Sequence, residues 1–266
     1  MTIEKADFIE GMAKGLAVLE SFDTERQRLN ATLAAQRAGI TRASARRHLL
    51  TLAHLGYLES EDGYYWLSPK VLRFSGSYLA SSRLPRVLQP TLNRLAAQTQ
   101  QSFSSVVLDG DQVVIVARSV GYGAQGSQGN ARILAYGLHL GARLPAHATS
   151  TGRMLLACLS RTDFATWLKS KAMLGKALPR LTVHTVLDTK TLKSLVSAAR
   201  TQDWCVASQE HEVGVFALAV PLRNMQGKVV AALNVVTTPE RLQPDVMKHD
   251  LLPLLQDAAR ELRPLL

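Results

Sequence analysis

Two short stretches of the sequence concentrate the side chains that could do chemistry. The first, TRASARRHLL at 41–50, brings Arg42, Arg46 and Arg47 together beside a run of leucines. An arginine can form a bidentate fork with guanine O6 and N7, or contact a phosphate. The second, HATSTGRMLL at 147–156, sets several hydroxyls directly before an apolar run. Free amides and hydroxyls at such a helix start can bind a carboxylate or another anion. The two stretches therefore suggest contacts with nucleic acid and with a small acid.

The elements around the arginines form a helix-turn-helix pattern. Asn30 can cap a short helix, Gly39 suits the tight exit from it, and Thr41 can cap a second helix that runs to about Leu55. Two strand-like runs follow, separated by an acidic, glycine-containing turn, and they predict a β-hairpin between residues 57 and 67. A hairpin directly after two such helices is the wing of a winged helix-turn-helix.

The first turns of the second helix are the candidate DNA contacts. Because Ala45 and Leu49 face the core, the other residues of those turns face outward, where a major groove would lie. Taken alone, the arginines are better explained by a solvated basic face than by DNA contact. The preceding helix, the turn and the wing reverse this preference. Lys70 and Arg73, beyond the hairpin, are further phosphate candidates. The predicted DNA-binding residues are Thr41, Arg42, Ala43, Ser44, Arg46 and Arg47.

The net charge of +10 does not by itself locate a nucleic-acid site. Residues 1–80 carry ten basic and nine acidic side chains, so the positive excess lies in the rest of the chain. The DNA hypothesis therefore depends on where the arginines lie and not on how many there are.

The composition also limits the class of protein. The two cysteines, Cys158 and Cys205, are too few for a disulfide framework or a four-ligand zinc site, and we expect buried free thiols. No apolar run approaches the roughly 20 residues that span a bilayer, and the N-terminus lacks the apolar stretch of a signal peptide. We expect a soluble, reduced, cytoplasmic protein with no membrane partner, no metal and no cofactor.

The rest of the pattern predicts an α+β protein of two domains. Residues 71–100 have helical spacing interrupted by Pro85 and Pro90, which indicates a linker helix and then a second helix. The second half alternates strand-like and helical stretches, as a sheet covered by helices would. The predicted organisation is a winged helix-turn-helix at 8–70, a linker helix at 71–85 and a larger domain at 86–266.

The hydroxyl-rich stretch can be interpreted in two ways. The amides of Ser150, Thr151 and Gly152 belong to the first turn of the predicted helix, where they have no intrahelical partner. With the hydroxyls of Thr149, Ser150 and Thr151 they could hold a carboxylate. A helix start that caps itself is the alternative.

Motifs spread over the whole chain resemble the IclR family of bacterial transcription regulators. They are the winged helix-turn-helix, the linker helix, and the stretches GARLPAHATSTGRMLLA, HEVGVFALAVPL and VVAALNVVTTPERL. The resemblance runs from about Phe8 to the C-terminus. The stretches TRASARRHLLTLAHLGYL, YLASSRLPRVLQP and VVLDGDQVVIVARS are similar to the subgroup that controls protocatechuate, 4-hydroxybenzoate and β-ketoadipate catabolism.

The resemblance implies a regulator that binds double-stranded operator DNA and a small effector, often a carboxylate, in a GAF-like C-terminal domain. It implies homodimers or homotetramers formed through both domains, activation or repression of transcription, and RNA polymerase as a further partner. In the family's pattern, Ser150 and Thr151 match residues that contact the effector carboxylate, while Ala207, Ala217 and Asn234 match residues that line the pocket.

Two departures from the small-acid members favour a larger and less polar effector. Those members carry an Asp where this chain has Ala207, and a polar residue where it has Ala217, so this pocket should be wider. An aromatic acid fits, with a ring hydroxyl on Asn234; a small aliphatic acid or a sulfonate is the alternative. His147 either contacts the effector or is structural. The predicted effector-binding residues are Ile133, Leu134, Tyr136, His147, Thr149, Ser150, Thr151, Gly152, Ala207, Val215, Ala217, Asn234 and Val236.

Two other patterns that could indicate an enzyme are weaker. GYGAQG at 121–126 has the spacing of a dinucleotide-binding loop, but no long apolar-faced helix follows it, so we interpret it as a mobile loop. Ser150 with His147, or Ser208 with His211, could form a hydrolase pair, but neither lies in a nucleophile elbow or has a convincing triad Asp. The sequence therefore predicts a regulator and not an enzyme.

Overall fold

The computed structural model describes residues 3–23, 26–119, 139–173, 178–238 and 246–266, with the side chains of 171–173 left out. The chain divides into two compact units, Met1–Ser81 and Ser82–Leu266. Each unit combines helices with a sheet, which confirms the predicted α+β class. The predicted strip Ile133–Tyr136 and the loop at 121–126 lie outside the described residues.

The first unit contains the predicted helix-turn-helix and wing. Helices α1 (Glu10–Leu19), α2 (Ala31–Ala38) and α3 (Arg42–His54) precede strands β1 (Leu58–Glu61) and β2 (Tyr64–Leu67). The Asn30 side chain accepts hydrogen bonds from the amides of Thr32 and Leu33, and Gly39 leaves α2 in the left-handed region at φ 65°. The Thr41 hydroxyl accepts from the Ser44 amide at 3.2 Å. The caps expected from the sequence are therefore confirmed.

The buried face of α1 differs from the one that the apolar spacing suggests. Met12 and Leu16 are 67% and 53% exposed, whereas Val18 is fully buried in the core of this unit. The ideal Cβ of a residue at Gly15 would lie 3.5 Å from the His48 ring, so the small side of α1 faces α3. Part of the apolar side of α1 therefore faces outward.

The segment between the wing and the sheet is broken one turn earlier than predicted. Helix α4 (Leu72–Ser81) ends before Ser82, which is extended, and α5 (Arg83–Thr99) begins directly after it. Pro85 fits in the first turn of α5 because the amides of a first turn need no intrahelical acceptor. Pro90 lies inside α5 without ending it, since Leu88, Leu92 and Leu95 anchor the helix in the core.

The second unit is built on a six-stranded antiparallel sheet. Its strands are β3 (Ser102–Asp109), β4 (Gln112–Ser119), β5 (Arg143–Pro145), β6 (Cys205–Ser208), β7 (Phe216–Arg223) and β8 (Val229–Thr237), in the order β5-β4-β3-β8-β7-β6. Strand β5 was not predicted, and neither was the helix α7 (Arg161–Met173). The other strands were expected from the sequence.

Helices cover both faces of this sheet. Leucines of α5 and of α9 (Leu252–Leu262) pack with Phe103, Leu218 and Val235 on one face. On the other face, α6 (Ser150–Cys158) and α8 (Thr189–Gln202) pack against Ile115 and Ala219. Because alternate residues of a strand point to opposite faces, each strand contributes to both cores.

Both cysteines are free thiols in the second unit. Cys205 is buried and Cys158 is half-buried; burial raises the pKa of the Cys205 thiol to about 12 and that of the Cys158 thiol to about 11. Neither thiol is therefore an activated nucleophile.

Candidate functional site

The outer face of α3 presents three arginines. The side chains of Arg42, Arg46 and Arg47 are exposed, and within the described residues none of them forms an ion pair. Thr41 and Ala43 are exposed beside them, and Ser44 is half-buried. The helix start thus offers uncompensated positive charge and small side chains on one surface, as a major-groove reader requires.

Two other basic residues hold α3 in place. His48 Nδ1 lies 2.8 Å from the Ser44 carbonyl oxygen, and its Nε2 lies 3.1 Å from the Gly11 carbonyl oxygen on α1. Lys70 Nζ donates to the Leu55 carbonyl at 2.7 Å, at the end of α3. Lys70, one of the predicted phosphate contacts, therefore has a structural partner at the C-terminus of the helix.

A pocket lies between the sheet and the N-terminus of α6. Its floor includes Ala207, Ala217 and Val236, which are aligned across β6, β7 and β8 in register. Methyl-sized side chains in the middle of this row leave space above the sheet. The pocket is lined by Ser104, Val106, Ile115, Leu144, Ala148, Thr149, Ser150, Thr151, Ala207, Glu210, His211, Glu212, Val215, Ala217, Asn234 and Val236.

Side-chain capping satisfies only part of the start of α6. The Thr149 hydroxyl accepts from the Gly152 amide at 3.1 Å and donates to the Pro145 carbonyl, so part of the predicted self-capping is present. The Ser150 hydroxyl, in contrast, is buried and has no hydrogen-bond partner. Within the described residues, the amides of Ser150 and Thr151 also meet no acceptor. These three donors lie at the positive end of the helix dipole.

Gly152 allows the helix start to lie close to the preceding turn. A Cβ at this position would be 2.2 Å from the Ala146 carbonyl oxygen, which is far inside contact distance. Gly152 itself does not line the pocket. Gly152 lets the backbone at the start of α6 lie against the backbone of Ala146, and this close approach helps to position Ser150.

Asn234 presents a donor to the pocket. Its Oδ1 accepts from the Ser104 hydroxyl at 2.6 Å, and both side chains are buried. The amide nitrogen of Asn234 therefore remains for a ligand oxygen. The sequence did not predict Ser104 as a pocket residue, because it lies 130 positions from Asn234 along the chain. Only the pairing of β3 with β8 brings the two side chains together.

A buried ion pair connects the helix to the loop between β6 and β7. Arg153 donates from two guanidinium nitrogens to the two carboxylate oxygens of Glu210, and the exposed fractions of the side chains are 1% and 9%. Arg153 Nε also donates to the His147 carbonyl at 2.8 Å, and the Val186 amide donates to Glu210 at 3.2 Å. The pair thereby fixes the roof of the pocket.

Two further titratable residues of that loop line the pocket and were not predicted. Burial lowers the pKa of the His211 imidazole, which favours its neutral form. Burial raises the pKa of the Glu212 carboxyl. With Glu210 they place two acidic residues and one imidazole in the wall.

His147 lies beside the pocket but does not line it. It is buried, and its Nε2 donates to the Pro179 carbonyl at 3.1 Å. The Ser150 hydroxyl does not reach it, since Ser150 has no partner, and no hydrogen bond joins Ser208 to His211. Neither of the serine–histidine pairs considered for a hydrolase is therefore formed.

Comparison with known proteins decides the family. Residues 76–263 match the C-terminal domain described as bacterial transcriptional regulator IclR, and residues 11–62 match the IclR helix-turn-helix domain. The chain belongs to the IclR family. The resemblance seen in the sequence is confirmed, and this IclR protein is a DNA-binding transcriptional regulator, not an enzyme.

Relatives extend the match over almost the whole chain. The Pca operon regulatory protein of Acinetobacter baylyi is 48% identical, and the match covers 99% of this chain and 91% of that protein. The p-hydroxybenzoate hydroxylase transcriptional activator of Acinetobacter baylyi is 49% identical, and the match covers 99% of this chain and 94% of that protein. Among solved structures, a double mutant of the inducer-binding domain of PobR from Acinetobacter, complexed with 3-hydroxybenzoic acid, is 44% identical. It covers 68% of this chain and 98% of its own, with a TM-score of 0.61.

Within the described part of this IclR protein, no helix is long and apolar enough to cross a membrane. No cluster of three or more histidine, cysteine or acidic side chains there could hold a metal ion.

Removing only one partner of the buried Arg153–Glu210 pair should destabilise the second unit. We expect Arg153→Met to lower the free energy of unfolding by about 3–5 kcal/mol, because it leaves the Glu210 carboxylate buried without its cation. Urea denaturation followed by circular dichroism measures the change. The exposed Arg94–Glu261 pair is the control, where Arg94→Ala should cost about 1 kcal/mol or less.

The double variant Arg153→Met with Glu210→Leu should regain most of the lost stability, because it removes both charges. An Arg153→Met protein as stable as the Arg94→Ala protein would contradict this account of the pair.

Proposed function

We propose that this IclR-family regulator controls genes of aromatic-acid catabolism in response to a hydroxybenzoate-type carboxylic acid bound in the pocket under α6. The observation that carries the proposal is the buried, unpartnered Ser150 hydroxyl at a helix start that faces this pocket. Support also comes from the two Acinetobacter relatives and from the 3-hydroxybenzoic acid bound to the similar PobR domain.

The pocket matches the chemistry of such an acid. The carboxylate would accept hydrogen bonds from the Ser150 hydroxyl and from the free amides of Ser150 and Thr151. The helix dipole would favour its negative charge at this end of α6. The ring would pack on the aliphatic side chains of Val106, Ile115, Val215 and Val236. The oxygen of a ring hydroxyl would accept a hydrogen bond from the Asn234 side-chain nitrogen. The small side chains of Ala207 and Ala217 leave space for the ring. The strip at 133–136 stays a predicted contact of the ring.

A small aliphatic acid or a sulfonate would fill this pocket less well. Either could occupy the helix start, but a small acid would leave the aliphatic walls uncovered, and those walls form most of the lining. A thermal-shift comparison of 4-hydroxybenzoate, protocatechuate, toluenesulfonate and pyruvate separates the classes, since a ligand at 100 times its Kd adds about 2.7 kcal/mol to folded-state stability.

The first unit would bind the operator through α3. Thr41, Arg42, Ala43, Ser44, Arg46 and Arg47 lie on the first two turns of α3 or at its cap. Arg46 and Arg47 would enter the major groove, where a good bidentate contact discriminates bases by about 1–3 kcal/mol.

The protein would act as a homodimer or a homotetramer. In the first unit, α1 and α4 leave large apolar side chains exposed, among them Ile9, Met12, Leu72 and Phe74 at 62–69%. Exposed apolar side chains in such numbers are typical of an interface. A second copy of this chain is the partner that a two-fold symmetric operator requires.

Effector binding would change transcription by favouring one arrangement of the dimer. A ligand shifts such an equilibrium only by binding one state more tightly, and couplings of about 1–3 kcal/mol are typical. The linker helix would transmit the change, and either the half-site spacing or a contact with RNA polymerase would respond to it.

Removing the Ser150 hydroxyl should affect the effector and not the fold. We expect Ser150→Ala to weaken 4-hydroxybenzoate binding about tenfold or more, because a hydrogen bond to a charged group contributes about 1.5–3 kcal/mol. The Tm of the free protein should stay equal or rise, since the hydroxyl has no partner to lose. Calorimetric titration measures the affinity, and Ser197→Ala on the exposed face of α8 is the control. Unchanged affinity would exclude the proposed carboxylate site.

Removing an arginine of α3 should weaken operator binding. We expect Arg46→Ala and Arg47→Ala each to reduce affinity for the promoter fragment by about 5- to 150-fold, the equivalent of about 1–3 kcal/mol. Gel-shift titration at fixed salt provides the measurement. Arg260→Ala removes the same charge from an exposed position on α9 and should change affinity little. Equal losses in all three variants would mean that only bulk charge matters.

A charge on the apolar side of α1 should disrupt self-association. We expect Met12→Glu to raise the dimer dissociation constant about tenfold or more, because burying an unpaired carboxylate in the interface is unfavourable. Gln36→Glu places the same carboxylate on an exposed polar position of α2 and should leave association as it is. Sedimentation velocity over a concentration series distinguishes the two, and identical profiles would assign the interface to other surfaces.

A further inference from the structure

The charges around the pocket are unbalanced. Its described lining contains Glu210, His211 and Glu212 but no lysine or arginine. The nearby guanidinium of Arg153 is engaged by both oxygens of Glu210, so it is not available to a ligand. The described lining offers donors at the start of α6, on Asn234 and on the His211 imidazole, whose lowered pKa favours the neutral form.

Glu212 is the acidic residue of this wall whose charge is not compensated. Within the described part of the chain, its carboxylate makes no hydrogen bond and no ion pair. It is half-buried and lines the pocket, whereas its neighbour Val213 is 58% exposed and does not. Burial raises the pKa of the Glu212 carboxyl, as expected for a charge without a partner.

The loop that carries Glu212 is held in a fixed shape. The Gln209 amide donates to the Val215 carbonyl at 2.7 Å, and the Val215 amide donates to the Glu212 carbonyl at 3.2 Å. The Gln209 side chain accepts from the Gly214 amide at 3.0 Å. With Glu210 tied to Arg153 at the start of the same loop, Glu212 cannot easily swing away from the pocket.

We propose that Glu212 makes the pocket selective for effectors with a single negative charge and excludes dicarboxylates. This inference rests on the proposed function, in which one carboxylate occupies the start of α6. That helix end compensates about half an elementary charge and offers one set of donors. A second carboxylate would meet Glu212 in a partly desolvated space whose described lining holds no lysine or arginine, and like charges at close range oppose binding.

The effector class follows from this charge arrangement. An aromatic monocarboxylic acid that carries neutral hydroxyl groups is accepted, since a hydroxyl can donate to Glu212 or accept from Asn234. A ring or a chain with carboxylates at both ends is rejected. Specificity of this kind depends on a repulsive element in addition to the attractive ones.

Three para-substituted benzoates test the proposal on the full-length protein. They are 4-hydroxybenzoate, terephthalate with a second carboxylate, and 4-carbamoylbenzoate, which has nearly the shape of terephthalate without the second charge. Calorimetric titrations at pH 8, far above the ordinary pKa of a carboxyl group, keep the carboxylates of the three ligands ionised. We expect the wild-type protein to bind 4-carbamoylbenzoate about tenfold or more tightly than terephthalate.

The variant Glu212→Gln removes the charge and keeps the shape. It should lower the ratio of the 4-carbamoylbenzoate affinity to the terephthalate affinity about tenfold, and Val213→Ala, next to it but outside the lining, should leave this ratio as in the wild type. A circular dichroism spectrum and Tm close to wild type establish that Glu212→Gln is folded.

The outcomes separate this proposal from the one on which it rests. If 4-hydroxybenzoate binds but terephthalate binds as well as 4-carbamoylbenzoate, the charge selection is wrong while the proposed function stands. A cation outside the described lining would then receive the second carboxylate. If the ratio is the same in Glu212→Gln, another group causes the selection. If none of the three acids binds, both proposals fail together.

Discussion

The shape of the pocket under α6 depends on one buried ion pair. Arg153 and Glu210 are both withdrawn from water, and such a pair is tolerated only when its remaining donors and acceptors are satisfied. Here they are, through the His147 carbonyl and the Val186 amide. These bonds therefore hold the first turns of α6, the turn before it and the β6–β7 loop in fixed positions relative to one another. Every polar group that the described lining offers to the pocket is held on one of these segments or on the sheet beneath them.

At the proposed binding site, one buried polar group lacks the hydrogen bond that buried polar groups normally have. A buried hydroxyl without a partner costs about 1–3 kcal/mol, and Ser150 carries such a hydroxyl although Thr149 beside it is fully bonded. Gly152 permits this by bringing the helix start against the Ala146 carbonyl, where a methyl group would not fit. A ligand oxygen that satisfied Ser150 would recover this cost on binding. Local frustration of this kind is expected at functional sites and not in a structural core.

The sequence predicted well those features that depend on neighbours along the chain. Asn30, Gly39 and Thr41 were assignable because a cap involves residues two to four positions away. Ser104 and Glu210 were not, because their partners Asn234 and Arg153 are 130 and 57 positions distant. A similar limit applies to α1: helical spacing shows that Met12 and Leu16 share a face, but not whether this chain or another covers that face. Pro90 was taken for a break, and tertiary packing of α5 overrode that preference.

The distribution of paired and unpaired charges separates structural from functional residues better than the net charge does. In the second unit, Arg94, Arg143, Arg153 and Arg223 each face a carboxylate of the same unit, so their positive charge is largely used internally. The first unit has almost no net charge, yet the three arginines of α3 have no acidic partner among the described residues. Glu212 is the acidic counterpart in the pocket wall. An exposed arginine is well solvated, so it is the clustering of three on the first turns of α3 that indicates phosphate. Glu212 is half-buried, and a partly desolvated charge without a partner is unfavourable, so we relate it to a second carboxylate that it repels.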